Sequence, residues 1–136
     1  NLKYKNFNVI FRGPKTELEL VKELLSADVF IHPSHIDNSP NSVCEAMLLG
    51  MPVIASYVGG IPSLIEDKHN GVLYNSNDPY ELASKILLTV KDKELIAELS
   101  KNARATGIDR HDHEQIRSTV LATYNRIIQK DKLKTA

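Results

Sequence analysis

Three stretches in this chain, VFI inside DVFIHPS (residues 28–34), MPVIA inside MPVIAS (51–56) and VLY (72–74), are apolar at consecutive positions rather than at alternate ones. A strand with one wet face alternates. A strand apolar on both faces needs cover on both, as in the parallel sheets of α/β proteins. The segments around these runs carry helix punctuation. KTELELVKELLSA (15–27) sets Leu18, Val21, Leu24 and Leu25 at helical spacing behind a Thr16 cap. Ser39-Pro40 signals a helix start, with Ser39 as N-cap and Pro40 at the first helical position, and Gly50 closes that helix. Asp78-Pro79 opens a helix to about Val90, Asp92 another to about Ala105, and Asp112 the last, to about Lys130. The last has an apolar stripe of Ile116, Val120, Leu121, Tyr124, Ile127 and Ile128. NFNVIFRG (6–13) reads as a further strand, residues 61–66 as a short helix, and Asn70-Gly71 as a turn. Strands alternating with helices predict an α/β fold with a doubly wound, mostly parallel sheet followed by C-terminal helices, in a single domain over residues 1–136.

Composition narrows the function classes. Lys+Arg and Asp+Glu both number 17, so the formal net charge is +0, which argues against nucleic-acid binding by bulk charge. Cys44 is the one cysteine, so no internal disulfide forms; that fits a reducing, cytoplasmic compartment. No apolar run reaches the ~18 residues of a membrane span. The amphipathic last helix leaves peripheral membrane contact open, although its charges are mixed.

In open parallel sheets, ligands bind beyond the carboxyl ends of the strands. Here those loops are residues 12–15, 32–39 and 56–61. The middle loop supplies Asp37 just before a helix N-terminus, whose free N–H groups and partial positive charge favour an anion by roughly 0.3–2 kcal/mol. Glu45 follows on the same helix, where a carboxylate can accept hydrogen bonds from a pair of hydroxyls. An anion site between two carboxylates suits a ligand with phosphates in the middle and hydroxylated rings at both ends, as in a nucleotide sugar. On spacing alone the plainer readings stay open: Asp37 as a turn residue and Glu45 as a solvated helix residue.

The run ADVFIHPS…D…SVCEAMLLGMPVIASYVGGIPSLIEDKHNGVLYNSNDPYELASKI resembles the C-terminal donor-binding domain of GT-B glycosyltransferases. It is most similar to the large retaining family of glycosyl transferases group 1 (glycosyltransferase family 4). The shared order is Pro-Ser, an acid, seven residues, Glu-Ala-Met, Gly-x-Pro-Val-Ile-Ala, Gly-Gly-x-Pro, Asn-Gly-x-Leu and Asp-Pro-x-x-Leu-Ala, over residues 28–86. The resemblance implies that Glu45 holds the ribose hydroxyls and that Asp37, the catalytic acid, contacts donor-sugar hydroxyls near the transferring carbon. It also implies that backbone N–H groups of Asn38, Ser39, Asn41, Ser42 and Val43, around Pro40, face the diphosphate or sugar. Ser34, His32, Gly13, Gly59 and Gly60 would complete the donor site, the last two where a side chain would obstruct close approach. The family's first acid is usually Glu followed by Gly-Phe-Gly; here it is Asp37 followed by Asn38-Ser39-Pro40-Asn41.

The implied reaction moves a sugar from a UDP- or GDP-linked donor to an acceptor hydroxyl with retained configuration, in polysaccharide or lipopolysaccharide synthesis. No metal or other cofactor is expected. The glycan or lipid-linked acceptor would meet an N-terminal domain outside this chain, and the basic segment that grips the diphosphate would lie upstream. The 136 residues are therefore expected to be part of a donor-binding half that does not turn over alone. Other readings on the same fold are a non-catalytic nucleotide-binding module, a sugar epimerase or a phosphorylase.

Several residues have two readings. His32 and His35 flank the donor loop, and His32 could equally be a hydrogen-bonded core residue. Arg12 and Lys15 could reach a phosphate or be solvated charges. Cys44 reads as packing rather than nucleophile. DRHDHE (109–114) has a His-x-His that could ligate a metal, but reads better as the polar entry to the last helix with Asp112 as cap.

Overall fold

The computed structural model describes residues 2–4 and 7–134, with side chains over 8–130. Its elements are β1 (Leu2–Tyr4), β2 (Phe7–Val9), α1 (Glu17–Leu25), β3 (Phe30–His32), α2 (Asn41–Leu48), β4 (Val53–Ser56), a 3-10 turn (Ile61–Ser63), β5 (Val72–Tyr74), α3 (Pro79–Lys91), α4 (Lys93–Arg110) and α5 (His113–Lys134). The fold is α/β. The strands β3, β4 and β5 lie side by side in that order and all pair in parallel, with Ile31 opposite Ile54 and Ala55 opposite Leu73.

The apolar runs explain the layering. Every residue of the central strand β4 is buried. Val53 and Ala55 face one side and join Val43, Ala46 and Met47 of α2 together with Ile61, Leu64 and Ile65. Ile54, Val72 and Tyr74 face the other side and meet Leu82 and Ile86 of α3 and Leu95 and Leu99 of α4. Both faces of the sheet are thus covered. Each fully buried aliphatic side chain contributes roughly 1.5–3 kcal/mol.

The expected first strand differs. Asn6 lies outside the described residues, and the strand runs only over Phe7–Val9. It pairs antiparallel with β1, Leu2 opposite Val9 and Tyr4 opposite Phe7, and not with the parallel sheet. A pairing between near neighbours closes a short loop and costs less chain entropy than a crossover. Ile10 and Phe11, expected inside that strand, are exposed at its end. The expected helix at 61–66 is shorter, a 3-10 turn over Ile61–Ser63.

Helix α1 begins as expected. The Glu19 carboxylate accepts from the Thr16 N–H at 2.9 Å and from the Thr16 hydroxyl at 2.8 Å. These bonds, backbone first, hold Glu19 below its ordinary pKa of 4.5. A carboxyl lowered on folding stabilises the fold above its unfolded value and loses that contribution as pH falls through its folded value. The first turn of α1 is therefore expected to fray on acidification below that range. Faster amide exchange at Glu19 and Leu20, with the β4 amides still protected, is the check.

Helix α4 runs five residues past the expected stop at Ala105, to Arg110. Gly107 lies in this extension. In the structure it is buried inside the helix, where a Cβ would lie 2.9 Å from the Leu48 backbone nitrogen. Its lack of a side chain lets α4 cross α2 closely. Helix α5 leaves its stripe half open, with Ile116, Val120, Leu121, Tyr124, Ile127 and Ile128 each about half exposed. Asp112 accepts from the Gln115 N–H at 2.8 Å, as its cap role requires. His111 Nδ1 lies 2.8 Å from the Gly107 carbonyl, closing α4. Among the described residues, no three His, Cys, Asp or Glu side chains come together as a metal site, and no helix is long and apolar enough to cross a membrane.

Candidate functional site

The carboxyl ends of β3 and β4 carry two loops that interlock. Ser56, fully buried at the end of β4, donates its hydroxyl to the Ser34 carbonyl at 2.5 Å, with the His32 carbonyl 3.5 Å away. The Gly60 N–H donates to the Asp37 carbonyl at 3.1 Å. A Cβ on Gly60 would lie 1.9 Å from the Asn38 carbonyl oxygen, and one on Gly59 2.2 Å from that of Asp37. Gly59 also has φ +51, a conformation side chains disfavour. The close approach these glycines allow is therefore to the chain's own loop at residues 37–38.

That loop fixes Asp37. Its Oδ1 accepts from the Ser39 N–H at 3.2 Å. Its Oδ2 lies 3.2 Å from His32 Nε2. Neither side chain is fully covered, at 17% exposure for His32 and 29% for Asp37. Asp37 is thus both the turn residue of the plainer reading and a carboxylate presented at the strand ends. The Ser34 hydroxyl is spent on the Ile36 carbonyl at 3.0 Å, and His35 is exposed.

The helix start differs from the expected one. Pro40, not Ser39, is the N-cap of α2, with φ −69 and ψ 110, and Asn41 is the first helical residue. The Ser39 N–H is committed to Asp37, which holds Ser39 outside the helix. No side chain caps α2 and no acid lies in its first turn. Val43 N–H already serves the Pro40 carbonyl at 3.1 Å, and Pro40 has no N–H. Of the amides expected to face an anion, those of Asn38, Asn41 and Ser42 remain without a partner among the described residues.

Glu45 lies on the exposed side of α2 and lines a groove of about 310 Å³ between α1 and α2. Leu20, Val21, Leu24, Leu48 and Leu49 form its apolar wall, and Lys15 and Glu17 are its other charged lining. Lys15 also approaches Glu23 at 3.7 Å, and Arg12 approaches the same carboxylate at 3.5 Å. Neither is a free cation, but Lys15 stays at the groove. Gly13, exposed with φ +67, sits in the loop leading to α1 with open space at its Cβ. Burial pushes the Cys44 thiol up; Arg110 opposes and Glu45 adds to the shift. It is a neutral packing residue on the adjoining face of α2, not a thiolate.

Sequence reasoning missed two parts of this arrangement. Ser56 was legible only as the polar last letter of an apolar run, and the apolar groove wall needs two helices placed side by side. The expected residues divide between two places: His32, Ser34, Asp37, Asn38, Ser39, Gly59 and Gly60 in the interlocked loops, and Glu45 in the groove, with the open end of α2 from Pro40 to Ser42 joining them along the chain.

A sequence profile described as glycosyl transferases group 1 matches residues 2–106. The chain belongs to this family. It is 29% identical over 111 residues to the N,N'-diacetylbacillosaminyl-diphospho-undecaprenol alpha-1,3-N-acetylgalactosaminyltransferase of Campylobacter jejuni, covering 82% of this chain and 29% of that protein. Among solved structures, Anabaena HepE in complex with UDP superposes with a TM-score of 0.71 at 29% identity, over 77% of this chain and 29% of that one. The same protein has been solved with UDP-glucose. Sucrose-phosphate synthase from Thermosynechococcus elongatus gives a TM-score of 0.72 at 28% identity, over 82% of this chain and 28% of that one. The chain spans under a third of the length of each of these proteins.

Proposed function

We propose that this chain is the donor-binding part of a retaining glycosyltransferase that moves a sugar from a nucleotide sugar to an acceptor hydroxyl in polysaccharide or lipopolysaccharide synthesis. The observation that carries the reading is the open start of α2: amides at Asn41 and Ser42 that have no partner among the described residues, with Asp37 before them and Glu45 after them. The amides would take the diphosphate, whose charge the helix end favours. Glu45 would take the ribose hydroxyls, and the apolar groove beside it would take a face of the base. At about 310 Å³ the groove is small, suited to a nucleoside rather than to a whole donor. Asp37, at the other end, would meet the sugar. That HepE was solved with UDP and UDP-glucose supports this ligand class. No resident metal or cofactor enters the reading, and the acceptor belongs to the rest of the protein.

The test is titration with UDP and GDP of the wild type and Glu45→Gln. Loss of one charge-assisted hydrogen bond from a ribose hydroxyl is expected to weaken the preferred nucleotide about tenfold. Equal affinity in the two proteins would remove Glu45 from the site.

A further inference from the structure

We infer that His32 is a positioning residue for Asp37, acting through that carboxylate rather than by touching the donor. The inference rests on the donor reading above and adds to it how the sugar-facing acid is held. His32 is the last residue of β3, and its backbone sits opposite Ala55 of β4. Its ring stacks near Phe30, centroids 6.4 Å apart and planes 27° from parallel, and Phe30 packs against the core. The ring is therefore carried by the rigid sheet, whereas Asp37 is in a loop.

The two meet at 3.2 Å, Nε2 to Oδ2. For this contact to be a hydrogen bond to a carboxylate, which only accepts, Nε2 must carry the hydrogen. On the other side, Ser39 N–H holds Oδ1 at 3.2 Å, and Gly60 N–H holds the Asp37 carbonyl at 3.1 Å. Donors on both oxygens and a tied backbone stop the carboxylate from swinging. Each oxygen keeps a second lone pair for a ligand hydroxyl. Aspartate is one methylene shorter than glutamate and cannot search for its partner by flexing. A carboxylate whose orientation is fixed from the stiff strand through His32 loses less freedom when it meets the sugar.

The test separates orientation from general support. Affinities for UDP and for UDP-glucose are measured in wild type, His32→Ala and His32→Gln, alongside ¹⁵N shifts of the His32 ring in wild type and Asp37→Asn. The wild type is expected to bind UDP-glucose more tightly than UDP. His32→Ala is expected to lose most of that sugar increment, up to about tenfold for one charge-assisted bond, with UDP affinity unchanged. His32→Gln, whose amide can donate from a similar place, is expected to restore part of it. The ring shifts are expected to report hydrogen on Nε2 and to move in Asp37→Asn. A merely structural histidine would lower both affinities together, and that result overturns the inference. So does a sugar increment that survives His32→Ala, a wild type without one, or a neutral ring protonated only at Nδ1. A wild type that binds neither UDP and UDP-glucose nor GDP and a GDP-linked sugar overturns the donor reading as well.

Discussion

Gly60→Ala is expected to abolish binding of the donor sugar while leaving the β4–β5 core folded. The new methyl group would lie 1.9 Å from the Asn38 carbonyl oxygen and 2.8 Å from its carbon. Both are backbone atoms, so no side chain can rotate away. The loop must move, and with it go the Gly60 N–H bond to Asp37 and the setting of Asp37 against His32. Overpacking of this kind costs about 1–3 kcal/mol. The expected result is a lower denaturation midpoint, still cooperative, with the sugar increment gone. Wild-type affinity in Gly60→Ala would show that the loop tolerates displacement and that its interlocking has no part in binding.

Gly107→Leu is expected to produce the largest loss of stability, about 3 kcal/mol, from the same overpacking in a different place. Gly107 is buried where α4 crosses α2, and its added Cβ would come 2.9 Å from Leu48 N and 3.1 Å from Met47 C. Arg104 of α4 also donates to the Leu48 carbonyl of α2 at 2.6 Å, and Ser100 of α4 donates at 2.7 Å to the carbonyl of Gly50, just past the end of α2. Leucine at 107 would push α2 outward along its C-terminal half. Because α2 carries Glu45 and the open amides, weaker nucleotide binding should accompany the loss in the fraction that remains folded. Denaturant unfolding, followed by titration under native conditions, measures both. An unchanged midpoint would mean that the crossing relaxes freely.

These two glycines show why parts of the molecule were not legible in the sequence. Gly107 lies beyond the expected helix end at Ala105, and only the packed partner reveals that it serves a crossing. Gly60 was read as clearance for a ligand, whereas the backbone it clears is that of Asn38. In both cases the deciding contact is between segments far apart in the chain. The start of α2 failed for a local reason: Asp37 captures the Ser39 N–H, so the cap falls to Pro40. The first strand failed because apolar character does not say which partner a strand finds; β2 took β1. By contrast, β4 and β5 were plain, since continuous apolar runs bounded by Pro52 and Gly71 have few other uses. Asp37 and Glu45 were legible as a pair only through the long ordered pattern around them. The structure separates them into a loop and a groove linked by the open end of α2.

If the start of α2 takes the phosphates of a nucleotide, its backbone amides must respond when UDP is added, and amide shifts recorded during that titration read this out. The expected result is that the largest shifts fall on Asn41 and Ser42, with smaller ones at Glu45 and the groove residues Leu20 and Leu24. UDP shifts centred elsewhere, for example on the open groove of Tyr57, Asn75 and Glu81, with Asn41 and Ser42 unmoved, would show that the phosphates do not bind at the start of α2.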